Sequence, residues 1–202
     1  MKIGLVPISA KPYHAGHHSL VTTASSENDK VILFVSTSDR MRKDEFPIRG
    51  ADMVRVWAAY LEPMMPGNVE VRYGGSPVQK VYQTLQDACE SGTDDIFVVY
   101  SDPADTAQNY PESNRRKYFP SACDLGQVVF AAERSPGMFT RGVGTPDVSG
   151  TKMRQALADG DVDTFAAGMP EGVDSLGIFD MLGGNVRSEA VLRACIGEFL
   201  RG

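Results

Sequence analysis

The chain reads as an α/β protein, doubly wound, with a mainly parallel five-stranded sheet, helices on both faces and a small helical C-terminal part. Three observations predict this. Short apolar runs bounded by turn residues recur at Ile3 to Val6, Val31 to Val35, Val69 to Val71, Ile96 to Tyr100 and Val128 to Ala131, the pattern of buried strands. Segments of helical spacing stand between them, so strand and helix alternate and the crossovers are expected to be right-handed. At 202 residues the chain has the length of one domain and can bury a core without metal or disulfides.

Element by element, the first run leads into a helix from Gly16 to Ser26 that carries Leu20, Val21 and Ala24 on one side. The second run is followed by a helix from Gly50 to Leu61 with Met53, Val54, Trp57 and Leu61. The third precedes a helix from Val78 to Glu90 with Val81, Tyr82 and Leu85. From Asp102 to Pro120 the rhythm breaks: the stretch is polar, holds Pro103, Pro111 and Pro120 with Arg115, Arg116 and Lys117, and reads as a loop or short helix over the site. After the fifth run a Gly- and Pro-containing loop leads into a helix that reaches Ala158, and short helices follow from Asp161, ending in Ser188 to Leu200. Residues 1–160 are therefore taken as the α/β domain and 161–202 as helices packed on it.

Composition narrows the partners. A net charge of −6 argues against a general nucleic-acid or membrane-surface binder. No apolar run reaches membrane-spanning length, and the first residues enter a strand with no leader pattern. Cys89, Cys123 and Cys195 form no CxxC pair, as expected of reduced thiols in a cytoplasm. Self-association is left open.

All three histidines fall within five residues, in Lys11-Pro12-Tyr13-His14-Ala15-Gly16-His17-His18. They occupy the turn between the first strand and its helix, which in an open α/β sheet faces the ligand crevice and offers backbone N–H groups to an anion. Two imidazoles there suit a phosphate. Three other readings stand beside this one, the plainest being a satisfied core histidine, which accounts for one of the three at most. His14 and His17, three apart, could begin a metal site, although the sequence points to no carboxylates that would complete it. Histidines at a helix start could also serve only as caps.

A second constellation is Gly144-Thr145-Pro146-Asp147-Val148-Ser149-Gly150-Thr151-Lys152-Met153-Arg154. Ser149 suits a helix cap, and the helix start adds the hydroxyls of Ser149 and Thr151 and the charges of Lys152 and Arg154. Such groups can hold a polyphosphate, and charge-assisted contacts are roughly twice as strong as neutral ones. The segment is not a P-loop, because five residues separate Gly144 from Gly150 and Lys152 does not follow the glycine directly. An ordinary capped surface helix is the competing reading.

In order on an α/β frame, Pro12-Tyr13-His14-Ala15-Gly16-His17 and Val148-Ser149-Gly150-Thr151-Lys152-Met153-Arg154 resemble the paired signatures of the HxGH nucleotidyltransferase superfamily. That superfamily includes nicotinamide mononucleotide and phosphopantetheine adenylyltransferases and cytidylyltransferases. The resemblance covers roughly residues 1–160. It implies a Rossmann-like sheet and an EC 2.7.7 type reaction, in which an acceptor phosphate attacks the α-phosphate of a nucleoside triphosphate and pyrophosphate leaves.

By the same resemblance His14 and His17 contact the triphosphate and stabilise charge in the transition state, and Gly16 lets the chain approach the nucleotide. Ser149, Gly150 and Thr151 hold the β and γ phosphates, with Lys152 or Arg154 supplying positive charge. His18 lies outside the motif and is left to face solvent. Magnesium is the implied cofactor, bridging phosphates with few protein ligands, and no residue is assigned to it.

The chain departs from many relatives in having Ile8-Ser9-Ala10-Lys11 where they carry a Gly and an aromatic. Lys11 reads either as a phosphate contact or as a solvated turn lysine. The late motif looks more like that of adenylyltransferases, so ATP is preferred to CTP.

Acceptors considered are nicotinamide mononucleotide first, then phosphopantetheine or a sugar or alcohol phosphate. Arg40, Arg42 and Lys43 after the second strand, with Arg49, are candidates to hold the acceptor phosphate; a solvated charge run is the alternative. Ser101 and Asp102, closing the fourth strand, are candidates to meet the nucleotide, with a turn-capping aspartate as the competing reading of Asp102. A nucleotide sensor without turnover is the reading from a different class.

Overall fold

A computed structural model of the chain describes residues 1–184; the expected helix over Ser188 to Leu200 and Cys195 lie outside them. Five parallel strands form one sheet: β1 (Lys2–Ile8), β2 (Lys30–Val35), β3 (Val69–Tyr73), β4 (Ile96–Val99) and β5 (Val128–Phe130). Their spatial order is β3-β2-β1-β4-β5. The order reverses between β1 and β4, the switch point at which a Rossmann-like doubly wound sheet opens its crevice. Register is continuous through the centre, with Leu5 opposite Ile32 on one side and Val99 on the other.

The central strands read as unbroken apolar runs because both faces are covered. Ile3, Leu5, Ile32, Phe34, Phe97, Val99 and Phe130 form one face and pack with Val81 and Leu85 of α3 (Pro77–Ser91) and with Tyr110, Phe119 and Ala122. On the other face lies α1 (Ala15–Glu27), whose following residue, Asn28, donates to Ala24 O and to Tyr100 Oη, both at 2.7 Å. Gly4 is needed there: a Cβ would stand 3.1 Å from the Asn28 amide nitrogen. Tyr100 also gives its hydroxyl proton to Glu27, 2.7 Å away, and its ring meets Phe139 edge-on.

Several boundaries differ from expectation. The helix expected from Gly50 to Leu61 is α-helical only as α2 (Gly50–Val56) and continues as a wider π-helix over Trp57–Leu61. A 3.6-residue apolar pattern does not register such a one-residue slip. The segment from Asp102 to Pro120 is neither a loop nor one helix but α4 (Pro103–Asn109) and α5 (Glu112–Tyr118), with α6 (Pro120–Asp124) opening at its end. Each proline stands at or just before a first helical position, where a missing N–H does no harm, so prolines that looked like breakers are starters. Two further short helices, α7 (Ala131–Arg134) and α8 (Pro136–Phe139), follow β5 directly. Among the described residues no helix is long and apolar enough to cross a membrane.

The chain divides into two compact units. The first holds Met1–Ala10, Gly16–Ser38 and Met65–Asp147, and so contains the sheet, nearly all of α1, and α3 to α8. The second holds Lys11–Ala15, Asp39–Met64 and the described residues from Val148 on. Its α-helices among the described residues are α2, which the π-helix Trp57–Leu61 continues, α9 (Gly150–Asp159), α10 (Val162–Ala167) and α11 (Ser175–Met181). Within the second unit Phe165 packs edge-on against Phe179, and Tyr13 against Trp57 with ring centres 4.9 Å apart.

Candidate active site

The turn after β1 is built under strain. Ala10 has φ 49°, a left-handed conformation uncommon for a residue with a Cβ, and it is fully buried. Such outliers persist where the surroundings over-determine them, which is frequent at functional sites. Beyond it Lys11 is 5 % exposed, so it is not a solvated turn lysine. Burial pushes its ammonium down to about 8 from 10.5, with Asp39 pulling the other way. Tyr13 is fully buried and His14 is 5 % exposed. At the start of α1 the Ala15 N–H donates to Gly168 O at 2.9 Å, which takes one of the helix's four orphan donors.

Within the second unit the late motif meets this turn. Ser149 caps α9, its hydroxyl accepting from the Lys152 N–H at 3.2 Å. Arg154, one turn further on, points back beneath the cap and is buried at 5 % exposure. Its Nη1 donates to Lys11 O at 2.7 Å, and its Nη2 to Thr151 Oγ1 at 3.0 Å. Gly150 leaves room for this arrangement, since a Cβ there would stand 2.9 Å from Arg154 Nη1 and 3.4 Å from Lys11 O. Segments 143 residues apart in sequence are thus hydrogen-bonded side chain to backbone.

The third contribution is a hairpin closed by paired backbone bonds between Arg40 and Ile48. Phe46 and Ile48 anchor it, while Arg42, Lys43 and Asp44 are exposed at its tip. Glu45 turns inward. Its carboxylate accepts from Arg40 Nε at 2.7 Å and Nη2 at 2.9 Å, a bidentate pair. It also lies 2.9 Å from Arg154 Nε, an ion pair by distance without hydrogen-bond alignment, and 3.9 Å from Arg42 Nη1. The hydrogen bonds from Arg40, followed by the charge of Arg154, hold Glu45 at about 2, well below its usual 4.5. Burial, and then the charge of Arg40, lower the Arg154 pKa, with Glu45 opposing both.

Of the residues singled out in the sequence, Lys11, Arg40, Arg42, Thr151 and Arg154 are joined by these contacts, directly or through Glu45. His14, Ser149, Gly150 and Lys152 belong to the same unit. Lys43 and Arg49 are exposed, Arg49 preceding the first turn of α2 with no side-chain cap bond. Gly16, His17, Ser101 and Asp102 belong to the sheet-bearing unit. There Ser101 is buried with its hydroxyl 2.7 Å from that of Thr106, and Asp102 caps α4, accepting from the Ala104 N–H at 2.8 Å. His18 does not simply face solvent: it is half-buried, and burial lowers its pKa.

Sequence reasoning missed Glu45 and Asp39. Asp39 accepts from the Gly50 N–H at 2.7 Å and so starts α2. Its capping role carries a faint sequence signal, an Asp ahead of a helix, though eleven residues early. Glu45 carries none, because nothing in Arg40-Met41-Arg42-Lys43-Asp44-Glu45 tells which carboxylate folds inward.

Chemically, buried and half-buried cations, a helix N-terminus and a buried imidazole make this unit suited to a multiply charged anion. Among the described residues no group of three or more His, Cys, Asp and Glu is placed to hold a metal ion, so the metal reading of His14 and His17 gains no support. The chain matches no protein-family model and no curated protein.

Proposed function

We propose that this chain is a nucleotidyltransferase. It transfers a nucleoside monophosphate, AMP in preference to CMP, from a nucleoside triphosphate to a small phosphate-bearing acceptor such as nicotinamide mononucleotide, releasing pyrophosphate. The observation that carries this reading is the hydrogen bond from Arg154 Nη1 to Lys11 O. The two motifs whose pairing the resemblance requires are far apart in sequence, yet one side chain of the second is fixed to the backbone of Lys11, the residue immediately before the first. A chance match of two short patterns gives no reason for that contact.

Phosphoryl-type transfer asks the protein mainly for position and charge. The acceptor phosphate oxygen forms a bond to the α-phosphorus as the bond to the pyrophosphate oxygen breaks, so no covalent enzyme intermediate is involved. In this reading His14 and His17 donate to triphosphate oxygens, and Lys11 and Lys152 oppose the charge that develops on the leaving pyrophosphate. The α9 N-terminus, with Gly150 and the Thr151 hydroxyl, receives the β and γ phosphates. Arg40, Arg42, Lys43 and Arg49 are assigned to the acceptor phosphate, and Ser101 and Asp102 to the nucleotide. Magnesium, when bound with the triphosphate, neutralises phosphate charge. The cationic set described above supplies no metal ligand, so a metal would have to be held chiefly by the phosphates themselves.

The test is pyrophosphate release from ATP or CTP with magnesium across nicotinamide mononucleotide, phosphopantetheine and sugar or alcohol phosphates. Release is expected with one pairing, and His14→Ala and His17→Ala should each lower turnover by about 10²–10³-fold, as for loss of one transition-state donor. Nucleotide binding without release for any pair would favour a sensor. Unchanged turnover in both variants, or a trapped nucleotidyl-histidine, would remove the assigned roles.

A further inference from the structure

We propose that Glu45 is an internal stand-in for a substrate phosphate: its carboxylate occupies the arginine cluster of Arg40, Arg42 and Arg154, and a phosphate must displace it to bind there. This rests on the transferase reading for the identity of the anion. It goes beyond that reading in assigning Glu45 a role and in giving the site a closed state.

The geometry carries the argument. A guanidinium presents a planar fork that matches a carboxylate and a phosphate in the same bidentate way. Glu45 fills that fork on Arg40 with both of its oxygens, at 2.7 and 2.9 Å, and one of the same oxygens is 2.9 Å from Arg154 Nε. One carboxylate therefore sits among three cations, with two positive charges in excess, and a phosphate group carries the larger opposing charge. The remaining contacts of Arg154, to Lys11 O and Thr151 Oγ1, do not involve Glu45, so Arg154 stays in place when Glu45 leaves.

The hairpin is divided in a way that permits exchange. Phe46 and Ile48 are buried and the Arg40–Ile48 backbone pairing closes its base, whereas Met41, Arg42, Lys43 and Asp44 are exposed. Glu45 stands at the border, its N–H donating to Arg42 O at 3.2 Å. Movement of residues 41–45 about the fixed base releases the carboxylate to solvent without unpacking the anchors. The closed state lowers apparent affinity by the fraction of molecules that are open.

The experiment is calorimetric titration of the full chain with two probes, tripolyphosphate and ribose 5-phosphate, comparing the natural protein with Glu45→Gln. The amide keeps the size of the side chain and loses the charge that competes. At least one probe should bind about tenfold more tightly to Glu45→Gln. Tightening with tripolyphosphate alone places the displaced position at the triphosphate, and with ribose 5-phosphate alone at the acceptor.

Equal or weaker binding of both probes, in a variant that melts normally, would show Glu45 to be a fixed keystone and overturn the proposal. Should Glu45→Gln fail to fold, hydrogen exchange of the natural protein decides: saturating probe should speed exchange at residues 41–45, and slowed or unchanged exchange would overturn it. No binding of either probe to either protein also overturns it. Neither readout needs turnover, so the pyrophosphate-release assay judges the transferase reading separately.

Discussion

Replacing Lys11 by Met should make the protein more stable and a weaker phosphate binder, and the stability gain should disappear at high pH. Lys11 is 5 % exposed, and its pKa falls from 10.5 to about 8 because burial disfavours the ammonium. At about 1.4 kcal/mol per pKa unit, that depression corresponds to a ceiling of roughly 3 kcal/mol against the charged form. Relaxation and screening bring the expected gain at pH 7 to about 1–2 kcal/mol. A chain of this length then melts roughly 2–8 °C higher.

The sign follows from proton binding. Below pH 8 Lys11 is charged in both states and the folded protein bears the full cost; between about 8 and 10.5 the folded protein releases the proton while the unfolded chain keeps it. The unfolded state then binds more protons, so the natural protein gains stability as pH rises through this window, and Lys11→Met does not. Urea unfolding of both proteins at pH 7 and pH 10.5 measures the difference, and titration with tripolyphosphate measures the loss of binding. The reasoning fails if Lys11→Met is no more stable at pH 7, or if its advantage is the same at both pH values. A more stable variant that binds tripolyphosphate as well as before would show that the buried charge serves nothing at this site.

Arg154→Met should cost about 2–4 kcal/mol in urea unfolding, because it leaves Lys11 O and Thr151 without their donor and Glu45 without one of its cations; a loss under 1 kcal/mol would mean the guanidinium is not the link described. Ser149→Ala should cost about 1 kcal/mol through the lost cap to the Lys152 N–H. Ser149→Asp should keep that stability yet weaken tripolyphosphate binding, since a carboxylate would then stand where the anion is received, and undiminished binding would argue against a polyphosphate at the α9 N-terminus.

Much of the framework was legible in the amino-acid order. Runs such as Val31 to Val35 lie in central strands covered on both faces, so they needed no alternation to be recognised. Ser149 and Gly160 bracket α9 as cap and left-handed stop. Helices of four to seven residues after β5 and around the prolines escaped, because so short a segment holds too few turns to show a period and forms through its surroundings.

By itself the sequence determined the parallel α/β sheet, the histidine turn at the end of its first strand and the capped start of α9, since each rests on local pattern, on backbone preference or on groups offered by a helix end. Only the tertiary structure decided that Lys11 is buried rather than solvated, that Arg154 reaches back across 143 residues to Lys11, and that Glu45 rather than Asp44 enters the arginine cluster. Burial and charge pairing depend on which distant segments are brought alongside, and a side chain's neighbours in space leave no mark on its neighbours in sequence.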